Sequence, residues 1–262
     1  MLVGRVESVW RYPVKSMRGE ELPQAFLGFS GMYGDRTHAF RSSAAPAGFP
    51  WLTARQQQSM LLFRATYRHP ERTLFPVNLA EAEALGSGVT PIYADSFDMA
   101  LDVETPAGQR FAIDDPGLIP ILREGIDGQP NLTLLRSERA LTDCRPVSLI
   151  SLETVRGLGT ECGFELDKRR FRANVYVHLE SGKAFAKDEF VGRTLQIGRR
   201  AVIRVLQRDT RCKMITLDPE TAQASPELMK LLARDHESKA GVYGAVLTEG
   251  VIQSCDPISL LD

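Results

Sequence analysis

Short runs of apolar and β-branched residues, broken at close intervals by glycine or proline, constrain the fold of this chain more than any other feature. The chain has 262 residues, of which 21 are glycine and 15 are proline. Glycine and proline interrupt helices and central strands, so this pattern is typical of many short strands joined by turns. It predicts a mainly β fold with a few helices, in the α+β class.

Seven segments predict strands. Residues 194–197 and 101–104 alternate polar and apolar side chains, as a half-buried strand does. The other five are β-branched or apolar runs, at residues 61–65, 132–135, 175–177, 202–206 and 245–247.

Two segments predict helices. One begins at Ser151 and is expected to end at glycines 157 and 159. The other begins at Ser225, an N-cap residue followed by proline, and its apolar stripe ends near Ser238. Between the strand-rich blocks, residues 114–130 are rich in Gly, Pro and Asp, which indicates a domain boundary there.

Charge and hydropathy exclude several classes of partner. The net charge is −1, with no block of like charges, so we expect no nucleic-acid partner. No run of about 18 uncharged apolar residues is present, so we expect no membrane span. Arg5 and Glu7 interrupt the apolar N-terminus, unlike the core of a secretory signal. The sequence therefore predicts a cytoplasmic protein.

Cys212 is the strongest candidate for chemistry. Arg208, Arg211 and Lys213 place three cations within four residues of its thiol. Nearby positive charge favours the thiolate, the form that attacks electrophiles or binds a soft metal. The alternative is a buried structural cysteine beside a solvated basic stretch. The other cysteines, at 144, 162 and 255, form no CxxC pair, so we expect Cys212 to act without a second cysteine nearby.

Residues 12–19 form the first of four candidate anion-binding segments. Pro13 lies two residues before the Lys15–Ser16 pair, and Gly19 follows it, which favours a tight turn. Such a turn can offer an ammonium, a hydroxyl and backbone N–H groups to a phosphate. It lacks the glycines of a Walker loop, and a plain solvated turn is the alternative.

The other three segments carry arginines. Arg36 precedes a strand-like run, and Arg55 lies within residues 51–56. Arg172 and Asn174 have the period-two spacing that places side chains on one face of a strand. Each arginine can hold an anion bidentately or simply pair with a surface carboxylate.

Taken in this order, the segments resemble the MOSC superfamily, named for the C-terminal domain of molybdenum cofactor sulfurase. The resemblance is closest to the two-part branch that contains the mitochondrial amidoxime-reducing component and its bacterial relatives. It rests on residues 12–16, 34–36, 52–56, 170–174, 211–212, 216–219, 244–245 and 256–257. It implies an N-terminal β-barrel-like domain over residues 1–120 and a MOSC β-barrel domain over residues 121–262.

In that family a molybdopterin-type molybdenum cofactor sits between the two parts, with a cysteine thiolate as metal ligand. The resemblance implies that Cys212 is this ligand and the catalytic residue. Ser148 or Ser151, at the start of a predicted helix, would give the phosphate a helix N-terminus. The implied cofactor-binding residues are Lys15, Ser16, Arg36, Arg55, Ser148, Ser151, Arg172, Asn174, Thr210 and Arg211. Departures from the family pattern, such as Ala173 where proline is usual, remove none of these residues.

The resemblance implies an oxidoreductase that reduces N-hydroxylated or other N-oxygenated compounds. The sequence has no Cys-rich extension after the MOSC-like part, so we expect its electrons from a separate protein of ferredoxin, cytochrome or flavoprotein type. Two alternatives stay open. The protein could be a sulfur carrier or cofactor-maturation protein with a persulfide on Cys212, or a binding module that stores or delivers cofactor without turnover.

Overall fold

Strands dominate the described part of the chain, which comprises residues 1–89, 92, 94 and 97–262 of a computed structural model. This confirms a mainly β fold with a few helices. The strands of the first half are β1 (Leu2–Arg11), β2 (Glu20–Leu22), β3 (Gln24–Gly28), β4 (Gly31–Met32), β5 (His38–Ser42), β6 (Arg64–Tyr67), β7 (Leu101–Glu104), β8 (Arg110–Ala112) and β9 (Leu132–Arg136). Those of the second half are β10 (Val147–Ser151), β11 (Val175–Leu179), β12 (Thr194–Ile197), β13 (Ala201–Thr210), β14 (Lys239–Thr248), β15 (Gly250–Gln253) and β16 (Pro257–Leu260).

Four α-helices lie between these strands in the described residues. They are α1 (Leu79–Leu85), α2 (Leu118–Arg123), α3 (Leu152–Cys162) and α4 (Pro226–Asp235). Short 3₁₀ helices span Gln58–Leu62, Pro70–Arg72, Lys168–Phe171, Ala186–Phe190 and Lys213–Thr216. None of the helices formed by the described residues has both the length and the apolar character that a bilayer crossing requires.

Strand β1 closes a seven-stranded barrel. The ring runs β1, β11, β10, β14, β13, β12 and β16, and β16 pairs with β1 again. Neighbours are antiparallel except β10 and β11, which are parallel. One strand of the ring comes from the N-terminus and six from the second half of the chain. The barrel therefore crosses the boundary expected at residues 120 and 121, and that division stays a prediction.

Alternating side chains fill the barrel. Along the first half of β13, Ala201, Ile203 and Val205 are buried while the residues between them are partly exposed. Val6 on β1 and Ile258 on β16 belong to the same apolar core. Period-two burial of this kind is what a closed sheet with a filled interior requires.

A second apolar core lies outside the barrel, between two small sheets, β5 with β9 and β6 with β7 and β8. A third small sheet, β3 with β4 and β15, instead packs into the barrel core through Leu27, Met32 and Ile252. Phe40, Phe63 and Val103 are buried in the second core, and Leu217 from the second half of the chain joins them. The two halves thus share both a barrel and a core.

Helices α3 and α4 pack against the barrel in a third core that includes Leu158, Leu232 and Phe171. The α3 helix begins where predicted, because the Ser151 hydroxyl accepts the Thr154 N–H at 3.2 Å. It passes through both glycines expected to end it and ends at a left-handed Gly163. The α4 helix follows the Ser225 N-cap as predicted, whereas α1 and α2 were not predicted.

Most predicted strands match observed ones. The segments at residues 194–197 and 101–104 coincide with β12 and β7. The strand predicted at residues 61–65 is wrong in its first half, because a 3₁₀ helix extends to Leu62 and β6 starts at Arg64. A short apolar run fits a buried helical turn as well as a strand, so the pattern could not separate them.

Candidate functional site

A cavity of about 370 Å³ lies where β13 ends, between the barrel and loops of the N-terminal region. All the predicted site residues except Ser151 line it. The lining consists of Lys15, Ser16, Arg36, Phe49, Thr53, Arg55, Thr142, Asp143, Cys144, Arg145, Ser148, Arg170, Phe171, Arg172, Asn174, Gln207, Asp209, Thr210, Arg211, Cys212, Met214, Ile215 and Tyr243. Cationic side chains outnumber carboxylates in this set, so the cavity is suited to an anion.

Cys212 lies at the rim of this cavity, two residues beyond the end of β13. Its backbone is extended, with φ −124° and ψ 178°, and it caps the 3₁₀ helix Lys213–Thr216. The Cys212 carbonyl accepts the Ile215 N–H at 3.2 Å, which fixes this turn. The thiol is exposed and free. It is therefore accessible to a ligand in the cavity, unlike a structural core cysteine.

Lys15 presents a buried ammonium to the cavity, with 4% of the residue exposed. Its Nζ donates to the Leu141 carbonyl at 2.9 Å and forms an ion pair with Asp143. Burial lowers the pKa of Lys15, and the Asp143 carboxylate offsets only part of this effect. The neighbouring Ser16 hydroxyl is also buried and lines the same wall.

Arg36 and Arg172 both lie over the ring of Tyr12. Their guanidinium carbons are 4.8 and 4.2 Å from the ring centroid, within the range of cation–π contacts. Arg36 also pairs with Asp35 and donates to the Arg172 carbonyl at 3.1 Å. Both arginines have positive φ, 49° and 50°, a conformation that is uncommon outside glycine and typical of functional sites.

Arg172, like Arg170 and Arg211, lines the cavity with one buried nitrogen that has no hydrogen-bond partner among the described residues. Its Nη1 donates to the Met17 carbonyl at 2.7 Å, but its buried Nη2 has no hydrogen-bond partner among the described residues. Burial lowers the pKa of Arg172 to about 10, and the positive charge of Arg36 adds to the effect. A buried, unpaired N–H on a cation is energetically costly, and an anion in the cavity would satisfy it.

The strand predicted for Arg172 and Asn174 is wrong at these positions. Arg172 ends the 3₁₀ helix Lys168–Phe171 in a left-handed conformation, and β11 begins only at Val175. Both side chains still line the cavity.

Asn174 ties this turn to the barrel. Its Oδ1 accepts the backbone N–H and the hydroxyl of Ser148 at 3.2 Å each, and its Nδ2 donates to the Trp10 carbonyl at 3.3 Å. Ser148 lies within β10 rather than at a helix N-terminus. Ser151 caps α3 and is fully buried outside the cavity lining. The arrangement places neither serine at a helix N-terminus that opens into the cavity.

Arg211 anchors the chain next to Cys212. Its Nε donates to the Ala240 carbonyl at 2.6 Å and its Nη1 to the Phe171 carbonyl at 2.8 Å. Its Nη2 lies 2.8 Å from Asp209 Oδ2. Because Nε and Nη1 hold backbone carbonyls, Arg211 fixes the loop geometry. Its buried Nη2 forms the ion pair with Asp209 but no hydrogen bond to a described residue, and direct contact of Arg211 with a cofactor stays a prediction.

Two further predicted residues lie at the edge of the cavity. The Arg55 guanidinium stacks 4.4 Å from the Phe49 ring centroid, and its Nε lies 3.4 Å from the Thr53 hydroxyl. Thr210 is exposed at the last position of β13. Their roles toward a ligand remain predictions.

Sequence reasoning missed several lining residues. Asp143 reaches Lys15 across more than a hundred positions, a contact that no local pattern reveals. Cys144 is exposed and lines the same cavity, which the spacing of the cysteines did not indicate, and the expectation that Cys212 acts without a second cysteine stays a prediction. Asp209 lies only three residues before Cys212 in the sequence, but its burial could not be read there.

The fold and the site define a class of protein: a closed β-barrel with a cationic cavity that presents an exposed thiol. Residues 136–259 match the MOSC domain, and residues 3–104 match the MOSC N-terminal beta barrel domain. The chain therefore belongs to the MOSC-domain proteins, which are associated with the molybdenum cofactor.

Solved structures of bacterial proteins are similar to this chain. The YUAD protein from Bacillus subtilis has 12% identity and a TM-score of 0.49, over 98% of this chain and 94% of that one. YiiM from Geobacillus stearothermophilus has 21% identity and a TM-score of 0.35, over 45% and 55%. YiiM from Escherichia coli has 15% identity and a TM-score of 0.34, over 45% and 55%. No curated protein gave a significant match.

Proposed function

We propose that the protein is an oxidoreductase that binds a molybdenum cofactor through Cys212 and reduces N-hydroxylated or other N-oxygenated compounds. Its electrons come from a separate redox protein of ferredoxin, cytochrome or flavoprotein type. One observation carries the proposal. The exposed Cys212 thiol shares a cavity with a buried, unpartnered Arg172 N–H and the buried Lys15 ammonium.

The donor set fits a molybdopterin-type cofactor. A thiolate is a soft ligand of the kind that suits a metal also bound by sulfur. A phosphate needs cations and N–H donors, which Lys15 and Arg172 provide in the same cavity as Cys212. The Arg172 Nη2, which lacks a partner among the described residues, accounts for one such donor.

When bound, the cofactor supplies the two-electron redox chemistry, and the protein supplies binding and orientation. Cys212 would hold the metal. Lys15, Arg36 and Arg172 would hold the anionic end of the cofactor. Asp35 keeps the Arg36 guanidinium in place, and Arg211 keeps the Cys212 turn in place through the Ala240 and Phe171 carbonyls. These contacts preorganise the cavity before any ligand enters.

Activity of the loaded protein tests the proposal. Protein expressed in a host that makes the cofactor is assayed for reduction of a hydroxylamine, an amidoxime and an N-oxide with an artificial one-electron donor. Wild type is expected to turn over at least one of them, and Cys212→Ser to lose about 100-fold or more. Cys255→Ser is the matched control, since Cys255 is exposed but does not line the cavity. Equal activity in Cys212→Ser and wild type would refute the assignment.

One observation favours a second function, sulfur transfer for cofactor maturation. Cys144 places another exposed thiol in the cavity, and its sulfur accepts the Gln207 amide at 3.7 Å. Two thiols in one cavity suit the formation and release of a persulfide. Intact-mass measurement after treatment with a polysulfide, which transfers sulfane sulfur to a thiolate and releases the shortened polysulfide, separates the two functions. A persulfide on Cys212 in metal-free protein favours sulfur transfer, and stoichiometric molybdenum favours the reductase.

A further inference from the structure

Asp209 is a buried carboxyl group in the wall of the cavity, three residues before Cys212. The residue is 1% exposed, although its neighbours Arg208 and Thr210 are partly or fully exposed. Register shifts between β13 and β14 at this end of the strand help to turn it inward. It holds neither the metal nor the anionic end of the cofactor in the arrangement proposed above, where its part is the ion pair with Arg211.

Charged and titratable groups from four segments face this carboxyl. Arg211 lies 2.8 Å away, and the Tyr243 hydroxyl on β14 is hydrogen-bonded to it. Arg36, before β5, and Asp143, before β10, act on it at longer range. Burial raises the pKa of Asp209 to about 6, against the smaller lowering effects of Arg211 and Tyr243. A group that titrates there can both hold and release a proton near neutral pH.

We propose that Asp209 donates a proton to the substrate oxygen during N–O cleavage. This inference rests on the proposed reductase function. Reduction of R–NH–OH consumes two protons and two electrons and yields R–NH₂ and water. The N–O bond breaks, an O–H bond forms on the departing oxygen and an N–H bond forms on the nitrogen, and both electrons come from the separate redox protein. Asp209 supplies one proton and regains it from water in the cavity, and water supplies the other.

Arg211 and Tyr243 position the carboxyl for this step. The Arg211 guanidinium is itself held by two backbone carbonyls, so it fixes Asp209 rather than following it. The simpler alternative is that Asp209 serves only to anchor Arg211. The two roles differ in their pH dependence, because an anchor must be ionised and a proton donor must be protonated.

The test compares wild type with two variants. Asp209→Asn keeps the size of the side chain but has no titratable proton, and Asp209→Glu keeps a titratable carboxyl. With loaded protein, kcat of wild type is expected to fall above about pH 6, about tenfold per pH unit. Asp209→Asn should lower kcat by about 100-fold and abolish this fall with pH, whereas Asp209→Glu should show a similar fall of kcat at a shifted pH.

Infrared spectra of the cofactor-free protein provide a second measurement. The band of a protonated carboxyl should disappear between about pH 5 and 7 in wild type and be absent in Asp209→Asn.

Each outcome decides between distinct claims. If wild type reduces N-hydroxylated compounds and Asp209→Asn keeps the same kcat and the same dependence of kcat on pH, the role of Asp209 is refuted and the reductase function stands. If the infrared band shows Asp209 ionised at pH 5, its role is refuted irrespective of activity. If loaded wild type reduces no such compound, the function fails, and proton donation fails with it. Should Asp209→Asn not fold, Asp209→Glu and the wild-type titration still decide the question.

Discussion

Buried charge is the property that distinguishes the cavity residues from ordinary surface residues. Arg172 keeps a buried guanidinium with one N–H unpaired among the described residues, and burial lowers its pKa to about 10. A cation held below its usual pKa destabilises the fold at neutral pH, and stability is expected to rise with pH only as Arg172 loses its proton above about pH 10. An anion bound at Arg172 would remove that cost at neutral pH.

Inorganic phosphate therefore is expected to stabilise the cofactor-free protein through Arg172. At a phosphate concentration of about 100 times Kd the gain is about 2.7 kcal/mol, measured as a rise in Tm. Arg172→Met should lose this response. Arg169→Met is the control, because Arg169 pairs with Asp167 and Glu220 and does not line the cavity. An equal phosphate shift in Arg172→Met and wild type would show that the anion binds elsewhere.

The raised pKa of Asp209 leads to a second prediction, on how the free energy of unfolding depends on pH. Its pKa is raised from 3.8 to about 6 in the folded protein, so the folded state binds this proton more tightly than the unfolded state. The resulting stabilisation is present below about pH 4 and is lost as pH rises through about 6. Across this window, Asp209→Asn should gain stability relative to wild type by up to about 3 kcal/mol. Urea unfolding of both proteins at pH 4, 5, 6 and 7 measures the difference in their free energies of unfolding. A difference that does not change with pH would contradict the assigned titration of Asp209.

At the level of residues, sequence reasoning reached the side chains close to Cys212 and those carried by the family resemblance. It did not reach Asp143, Cys144 or Tyr243, because they enter the cavity from other strands and loops. It also did not reveal the burial of Asp209, although this residue lies three positions before Cys212. Short-range pattern shows residue type and spacing, whereas desolvation depends on the whole fold.

Among the elements, the start of β14 decides the position of the Cys212 turn. Gly241 on β14 has φ +93°, and a Cβ there would lie 2.7 Å from Arg211 Nη2 and 2.9 Å from the Leu149 carbonyl oxygen. Both the backbone conformation and the space therefore require glycine. This close approach allows the Arg211 guanidinium to reach its carbonyl acceptors.

Gly241→Ala is expected to destabilise the protein by about 2–4 kcal/mol and to lower cofactor affinity, because Arg211 must move. Gly163→Ala is the matched control. Gly163 also has positive φ, 78°, but a Cβ there meets nothing within 4 Å, so its cost should be only about 1 kcal/mol. Urea unfolding of both variants gives the difference. Equal losses of unfolding free energy in the two variants would mean that the close contact between Gly241 and Arg211 does not affect stability.

Element prediction succeeded where the pattern was unambiguous and failed where helix and strand patterns coincide. The alternating segments matched β7 and β12, and Ser151 correctly marked the start of α3. The α3 helix passed through two glycines because its apolar face packs in the core, which outweighs the helix propensity of single residues. Helix α2 contains a proline near its start, a position that tolerates proline but hides the helix in the sequence.

At the scale of the whole molecule, the barrel depends on a strand from the far end of the chain. Strand β1 pairs with both β11 and β16, and without it those strands would be open edges. The sequence indicated two parts and a mainly β fold. It could not indicate this closure, because pairing between strands more than a hundred residues apart leaves no local signal.

A fragment of residues 121–262 is therefore expected not to form the closed barrel alone. Its two exposed edges should make it aggregate or give poorly dispersed amide NMR spectra, while the full chain gives dispersed spectra. Addition of a peptide of residues 1–22, which supplies β1 and β2, should restore dispersion. A fragment that unfolds cooperatively without the peptide would show that the second half folds independently.

The most direct test of the whole account is X-ray absorption at the molybdenum edge, with wild type and Cys212→Ser purified from a host that makes the cofactor. The account predicts molybdenum and pterin in wild type and one fewer sulfur around the metal in whatever cofactor Cys212→Ser retains. Cys144→Ser should match wild type. An unchanged sulfur count in Cys212→Ser, or wild type that takes up no molybdenum from such a host, would contradict the assignment of Cys212 as the metal ligand.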